Sequence, residues 1–333
     1  ERVLGFGMFP VEPFSGATNG DFFKDLLVRC NGVVEDFASG VMNAKVYDFT
    51  EKDLTEADGV AESVEHGWYE YKGGDDKALH PWEGETTPHY TEPKEGTKTE
   101  WKALNEKGKY SWLKTPKWRG KLCEVGPLAR YIVLYTKAKQ GLLGELTWAE
   151  KMIVDQIDAV TKLLNVPVEA WLPSTVGRTA ARALDAQLQA EVSKYFFDKL
   201  VANIKSGDTK VANTEKWEPS TWPKEAKGVG LYEAPRGALS HWAVIKDGKI
   251  TNYQAVVPTT WNACPRDDAE GHGAYEMSMM DTPVKVADKP LEIVKAVRSF
   301  DPCMACSTHL FNAKGEKIRV VTTDPYAGVS VDK

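Results

Sequence analysis

Cysteine is scarce in this chain: there are five in 333 residues, and only two of them stand close together. The isolated ones are Cys30, Cys123 and Cys264, and the close pair is Cys303 and Cys306. A small, odd and scattered set excludes the disulfide framework of small secreted domains. We therefore expect mostly buried free thiols and one functional pair.

An excess of positive charge is also lacking, because 42 lysines and arginines stand against 48 aspartates and glutamates, a net charge of −6. This balance excludes a basic nucleic-acid-binding protein, so we expect no nucleic-acid partner. No apolar run reaches the roughly 18 residues that cross a bilayer. Residues 1–13 contain neither a basic nor an apolar stretch, and no signal peptide is expected.

The spacing of apolar residues predicts helices over 20–43, 148–164, 175–205 and 290–299. Ser174 is expected to cap the third helix, whose apolar stripe runs from Ala180 to Ile204. Two long helices that follow one another in the chain predict an elongated helical bundle.

Strands are predicted by a different pattern. Alternation over 238–245 and 250–257, on either side of Asp247-Gly248, predicts a β-hairpin. Residues 66–121 are rich in glycine, proline and aromatic residues, which predicts long loops with short strands. The expected fold class is therefore α+β, mainly helical, with small peripheral β-hairpins.

Residues 299–309 have the sequence SFDPCMACSTH, in which Cys303 and Cys306 form a Cys-x-x-Cys motif and His309 follows. Two thiolates at this spacing converge on one metal ion, and Pro302 restricts the backbone before the first of them. A structural zinc site and a thioredoxin-like redox pair remain alternatives, although the former needs further ligands and the latter a βαβ unit. Covalent haem attachment is excluded because Ser307 follows the second cysteine.

The motif resembles the C-terminal metal-binding motif of the large subunit of nickel-iron hydrogenases. Further matches occur in the family's order and cover nearly the whole chain: EVGPLARY at 124–131, EAPRGALSHW at 233–242, YQAVVPTTWNACPRD at 253–267 and GAYE at 273–276. Residues 217–230 resemble the membrane-bound, oxygen-tolerant uptake enzymes in particular. The resemblance implies the large-subunit fold of that family.

The resemblance also implies a set of metal ligands. Cys303 would be a terminal ligand of nickel, and Cys306 would bridge nickel and an iron that carries CO and cyanide. His309 would bind a nearby Mg²⁺ together with the backbone carbonyl of Ala255.

Around these ligands the resemblance implies further roles. Arg236 would lie over the open coordination position with Asp301 as its carboxylate partner, since a buried arginine must be paired. Thr259, beside Pro258, would hydrogen-bond a cyanide on iron, and Leu239 would form the apolar wall of the pocket.

The implied function is that of the catalytic large subunit of an uptake hydrogenase, which oxidises H2 reversibly to protons and electrons. The base would be the thiolate of Cys303 or Arg236 assisted by Asp301. Electrons would pass to an iron-sulfur small subunit and then to a membrane cytochrome b, at the periplasmic face of the cytoplasmic membrane. The alternative is a non-catalytic relative, either a hydrogen sensor or a structural subunit of a quinone oxidoreductase.

Two departures from the family pattern concern the ends of the chain. The family has a second Cys-x-x-Cys near the N terminus of its large subunit, and this sequence has none. We therefore expect 1–309 to be a partial catalytic domain that lacks its N-terminal part. Residues 310–333 are expected to be an extension that a maturation endopeptidase removes after His309.

Overall fold

The structure, a computed structural model, describes residues 32–48, 51–90, 107–209, 212, 214, 217–286 and 290–303. Its strands are β1 (Val33–Glu35), β2 (Lys45–Tyr47), β3 (Val60–Ser63), β4 (Tyr69–Tyr71), β5 (Thr86–Pro88), β6 (Thr115–Trp118), β7 (Glu225–Ala234), β8 (Gly237–Lys246) and β9 (Lys249–Val256). Its α-helices are α1 (Glu51–Thr55), α2 (Pro127–Lys139), α3 (Trp148–Leu164), α4 (Val168–Trp171), α5 (Thr175–Lys205), α6 (Pro258–Asn262), α7 (Ala274–Met279) and α8 (Leu291–Ser299). None of the helices in these ranges is long and apolar enough to cross a membrane.

Helices α2, α3 and α5 pack around one apolar core. Tyr131 and Ile132 of α2, Ile153 and Ile157 of α3 and Leu188 of α5 are buried there. Helix α2 is buried continuously from Pro127 to Lys137. A helix that is covered on all sides shows no apolar stripe, and the periodicity therefore did not predict α2.

The predicted long helices are confirmed with their bounds. A capping box begins α3, because Thr147 Oγ1 accepts from the Glu150 N–H while the Glu150 side chain accepts from the Thr147 N–H. Ser174 caps α5 as predicted, its hydroxyl accepting from the Gly177 N–H at 3.0 Å. The fourth predicted helix is present as α8 and begins at Leu291.

The apolar stripe of α5 is only partly covered by the described residues. Leu188 is buried, whereas Leu200 and Ile204 are 55% and 54% exposed. Packing within the described ranges therefore stabilises the N-terminal half of this helix more than its C-terminal half.

The prediction of a helix over 20–43 is wrong for residues 32–43. Residues 20–31 lie outside the described ranges. Val33–Glu35 forms strand β1, which pairs antiparallel with β2. Gly32 has a φ of +152°, and a Cβ at that position would lie 2.8 Å from the Tyr47 carbonyl oxygen. This close backbone approach ends helical geometry, and the β-branched pair that follows favours a strand.

Strands β7, β8 and β9 form an antiparallel sheet in that order. The predicted hairpin is confirmed as β8 and β9, and Asp247 and Gly248 both have positive φ in its turn, as a type I′ turn requires. Strand β7 was not predicted; it pairs with β8 along its whole length, from Glu225 to Ala234. A second apolar core, which includes Trp118, Trp242, Val256 and Trp261, lies against this sheet.

Candidate metal centre

Three segments that are distant in sequence meet beside Cys303. The first is the two-residue turn Pro235-Arg236 between β7 and β8, and the second is the start of α6, where Pro258 occupies the first turn. The third is the stretch after α8, which continues through Phe300, Asp301 and Pro302 to Cys303.

Arg236 and Asp301 form a close pair, as the sequence analysis expected. Arg236 Nε donates to the Asp301 carbonyl oxygen at 2.9 Å and lies 3.2 Å from its carboxylate Oδ2. Asp301 has a φ of +56°, and its N–H donates to the Arg298 carbonyl at 3.0 Å. Asp301 therefore ends α8 in a left-handed conformation, where glycine or asparagine is more usual.

Thr259 fixes the backbone of the cysteine. Its hydroxyl oxygen accepts from the Cys303 N–H at 3.2 Å. Thr259 and Pro258 are buried, whereas Cys303 is partly exposed. The structure thus brings together Arg236, Asp301, Thr259 and Cys303 around one position.

The other expected residues lie on strands β8 and β9 or outside the described residues. Leu239 of β8 lines a small apolar cavity with Trp242 and Trp261, and the residues lining it do not include Arg236 or Cys303. Ala255 lies opposite His241 in the β8–β9 ladder. Cys306 and His309 lie outside the described residues.

Two glycines allow the turn that carries Arg236 to pack against α2. Gly126 caps the N-terminus of α2, and a Cβ there would lie 3.1 Å from the Arg236 carbonyl oxygen. A Cβ at Gly237 would lie 2.7 Å from the Gly126 nitrogen. Both glycines also have positive φ. A side chain at either position would therefore be disfavoured by the backbone conformation as well as by the close contact.

A buried ionic network supports this turn, and the sequence analysis did not identify it. Arg130 Nη1 donates to Glu233 Oε1 at 2.6 Å and to the Ala234 carbonyl at 3.1 Å, while Nη2 donates to Asp185 Oδ2 at 2.8 Å. Burial raises the pKa of Glu233, and the attraction of the adjacent Arg130 guanidinium opposes that shift and favours the ionised carboxylate. A charged residue inside the apolar stretch 127–135 was the signal that could have found Arg130.

Helix α5 contributes two further arginines near the cysteine. Arg178 makes a bidentate pair with Glu124 at 2.7 and 2.8 Å, and its guanidinium lies 4.1 Å from the ring centroid of Phe300. Arg182 Nη1 donates to the Ser299 carbonyl at 2.8 Å. Burial lowers the pKa of Arg182, and the nearby Asp301 carboxylate opposes that shift.

The other described cysteines differ from Cys303. Cys123 and Cys264 are buried, and burial raises the pKa of both thiols. A buried thiol that resists ionisation is a poor metal ligand, since the thiolate is the ligating form. Their predicted structural role is in keeping with this placement.

A separate group of possible ligands is formed by Glu65, His66 and Asp268, whose ligand atoms lie within 4.8 Å of one another. The Asp268 carboxylate is already paired with Arg266 and contacts His66 Nε2 at 3.3 Å. We assign no metal to this group because Asp268 is already paired with Arg266 and both carboxylates are exposed to solvent.

The donor set around Cys303 fits a thiolate-bound metal such as nickel. A cysteine sulfur is the soft ligand that nickel accepts in proteins, and Cys303 is the described cysteine that is not fully buried. The charged groups next to it are paired with one another, as Arg236 is with Asp301. Its amide is held by Thr259, so the position of the ligand is defined by neighbouring residues.

Comparison with known proteins agrees with this geometry. The family model described as nickel-dependent hydrogenase matches residues 18–309. The uptake hydrogenase large subunit of Rhodobacter capsulatus is 46% identical over 323 residues, which are 96% of this chain and 50% of that protein. The Hydrogenase-1 large chain of Escherichia coli (strain K12) is 43% identical over 317 residues, 95% of this chain and 49% of that protein.

Solved structures of hydrogenases also match this chain. The NiFeSe-hydrogenase of Dm. baculatum matches with a TM-score of 0.62 at 30% identity, covering 93% of this chain and 52% of that chain. The chain thus spans about half the length of the relatives it matches. The family match over most of its residues shows that the chain belongs to the nickel-dependent hydrogenase family.

Proposed function

We propose that the protein containing this chain is the catalytic large subunit of an uptake hydrogenase, which oxidises H2 reversibly to protons and electrons. The observation that carries the proposal is the convergence of Arg236, Asp301 and Thr259 on Cys303. Relatives named uptake hydrogenase large subunit, at 46% and 49% identity, support it.

A nickel-iron centre, when bound, supplies the metals that polarise H2 and accept its electrons. In our proposal Cys303 and Cys306 provide two of its thiolate ligands. In our proposal the proton released from H2 would be taken by the thiolate sulfur of Cys303. Arg236, the second base that the family resemblance implies, could accept it only as a neutral guanidine, since its guanidinium form is already fully protonated. The ion pair keeps the arginine beside the reacting position at a lower cost in solvation than an unpaired charge would have.

The finer assignments extend this proposal. Thr259, after Pro258, would hydrogen-bond a cyanide on the iron of that centre, which would also carry CO, and Leu239 would form the apolar wall. His309 and the Ala255 carbonyl bind Mg²⁺.

The proposal also covers the organisation of the chain. Residues 1–309 form part of the catalytic domain, in which α3 and α5 belong to an elongated helical bundle. A maturation endopeptidase removes residues 310–333. The proposed partners are an iron-sulfur small subunit and a membrane cytochrome b. They hold the enzyme at the periplasmic face of the cytoplasmic membrane.

The test compares Cys303→Ser and Arg236→Lys in the full-length protein with its partner subunit. Cys303→Ser should lose bound nickel and H2-dependent dye reduction, because a hydroxyl does not replace a thiolate ligand. Arg236→Lys should retain nickel but reduce turnover by about tenfold or more, since lysine cannot make the forked contact with Asp301. Cys123→Ala, which changes a buried thiol outside the site, is the matched control and should keep both properties.

Several results would overturn the proposal. Full H2 oxidation by Cys303→Ser would exclude the assigned ligand, and zinc in place of nickel in the parent protein would indicate a zinc-binding module. Nickel with negligible H2 turnover in the parent protein would favour the hydrogen sensor, and absence of any metal would favour the structural subunit.

A further inference from the structure

One face of helix α5 is turned toward the segment that carries Cys303. Arg178, Arg182 and Asp185 are spaced at i, i+4 and i+7, which places them on the same face of a helix. Arg178 contacts Phe300, and Arg182 contacts Ser299. This face therefore meets the chain immediately before the cysteine.

Arg182 lies close to both the Ser299 carbonyl and the Asp301 carboxylate. Its Nη1 donates to the Ser299 carbonyl at 2.8 Å, and its Nε lies 3.9 Å from Asp301 Oδ2. Arg236 Nε lies 3.2 Å from the same oxygen. The carboxylate of Asp301 is thus shared by two guanidinium groups from different elements.

The Nε of Arg182 is buried, and it has no hydrogen-bond partner within the described part of the chain. A buried donor without a partner is costly, so its placement is maintained by the rest of the guanidinium and by the charge of Asp301. A movement of about 0.7 Å at Asp301 would shorten the 3.9 Å approach to the upper end of hydrogen-bond length.

Asp301 needs such support because of its backbone. A left-handed conformation at a residue other than glycine is unfavourable and persists only where surrounding contacts enforce it. Arg236 holds the Asp301 carbonyl, and Arg182 holds the carbonyl of Ser299 at the end of α8. Only Pro302 separates Asp301 from Cys303, so these contacts restrain the backbone that carries the cysteine.

We propose that Arg182 is a positioning residue that fixes Asp301 and, through it, Cys303. The proposal deepens the proposed function, on which it rests for the identity of Cys303 as a metal ligand. The contacts themselves require no metal. An exchange measurement therefore tests the positioning separately from the activity.

The first experiment measures amide hydrogen exchange of the peptide covering 299–303 in the full-length protein by mass spectrometry. Arg182→Met removes the donor to Ser299 and one of the two cations beside Asp301, so exchange should rise by about tenfold. Arg182→Lys should give a smaller rise, because an ammonium reaches only one of the two partners. Arg298→Met is the control, since Arg298 is an exposed arginine on α8 whose side chain makes none of these contacts, and it should not change exchange.

The second experiment uses the assembled enzyme. We expect Arg182→Met to lower kcat for H2 oxidation by about tenfold with unchanged nickel content and unchanged KM for H2, since misplacing a reacting group acts on the transition state. Arg182→Lys should recover part of that loss. If Arg182→Met fails to fold, the same comparison between Arg182→Lys and Arg298→Met remains a valid test.

Unchanged exchange in both Arg182 variants, or an equal rise in Arg298→Met, would overturn the positioning role. Loss of activity in proportion to lost nickel, with exchange at 299–303 unchanged, would do the same, because it would indicate a defect elsewhere in the protein. Faster exchange in Arg182→Met together with a parent protein that does not oxidise H2 would support the positioning role and reject the proposed function.

Discussion

Arg130 and Glu233 are 103 residues apart in sequence, yet Arg130 Nη1 lies 2.6 Å from Glu233 Oε1 in a place where both side chains are almost fully buried. The same guanidinium also binds Asp185 of α5. Helices α2 and α5 are thereby joined to the end of β7, two residues before Arg236. The position of the turn consequently depends on a buried network whose members lie on α2, α5 and β7.

The first prediction concerns the loss of this buried cation. Arg130→Met leaves Glu233 and Asp185 without their shared partner, and breaking a buried ion pair from one side costs about 3–5 kcal/mol. We expect the free energy of unfolding of the full-length protein to fall by that amount in denaturant titrations. Replacing all three residues at once, with Arg130→Met, Glu233→Gln and Asp185→Asn, should recover much of the loss because no uncompensated charge is left.

An exposed ion pair provides the matched control. Arg119 Nη2 lies 3.0 Å from Asp53 Oδ1, and the Arg119 side chain is 41% exposed. Arg119→Met should cost less than about 1 kcal/mol, because water screens the pair and solvates the remaining charge. Similar losses in Arg119→Met and Arg130→Met would contradict the importance of burial.

The second prediction concerns the close approach of the Arg236 turn to α2. Gly237→Ala would place a Cβ 2.7 Å from both the Gly126 nitrogen and Val125 Cγ2, at a φ of +129°. Strain and overpacking together should lower the free energy of unfolding by about 2–5 kcal/mol. The displaced turn should also reduce H2 oxidation, which is measured in the same preparation.

Gly228 is the matched control for this substitution. It lies in β7, on the strand that precedes the same turn, and a Cβ there meets nothing within 4 Å. Gly228→Ala should be neutral or slightly stabilising, because alanine reduces the entropy of the unfolded chain. Equal destabilisation by Gly228→Ala and Gly237→Ala would show that loss of glycine, and not the close approach, is responsible.

The helices and strands that could be predicted from the sequence are those with a capping or turn residue at one end. Helix α5 follows the capping Ser174, and the β8–β9 hairpin surrounds Asp247-Gly248. Helix α2 and strand β7 carried no such pattern, the first because it is buried on all sides and the second because Gly228 and Gly230 interrupt its alternation. The strand at Val33–Glu35 was mistaken for a helix because its pairing with β2 is a long-range contact.

Some residues of the candidate site could likewise be predicted from local motifs, and others are recognised only in the folded structure. The residues of the Pro-Arg-Gly turn and the Asp-Pro-Cys segment stand in contiguous motifs, and the structure brings Arg236 and Asp301 together. Arg182 and Asp185 were not identified, because charged residues on a long helix resemble a solvent-facing side. Only the packing of α5 against α2 and α8 shows that this side faces inward.

The third prediction concerns pH and His80. His80 is buried against the rings of Trp82 and Trp242, and its Nδ1 accepts from the Trp82 N–H at 3.2 Å. Burial lowers the pKa of His80 from its ordinary value of 6.5, and Lys227 adds to this shift, while the backbone of Leu54 and the Glu83 carboxylate oppose it. The unfolded chain therefore binds a proton near pH 6.5 that the folded chain does not. Stability is retained above pH 6.5 and is lost as the pH falls toward the lowered pKa.

His80→Asn removes this titration while keeping an acceptor near the Trp82 N–H. The variant should be less stable at pH 7.5, because it leaves space between the two indole rings. Its free energy of unfolding should nevertheless decline less steeply between pH 7 and pH 5.5 than that of the parent. The difference in slope is at most about 1.4 kcal/mol per pH unit for one proton. If His80→Asn and the parent showed parallel pH dependence in denaturant titrations, His80 would not be the group that charges on unfolding.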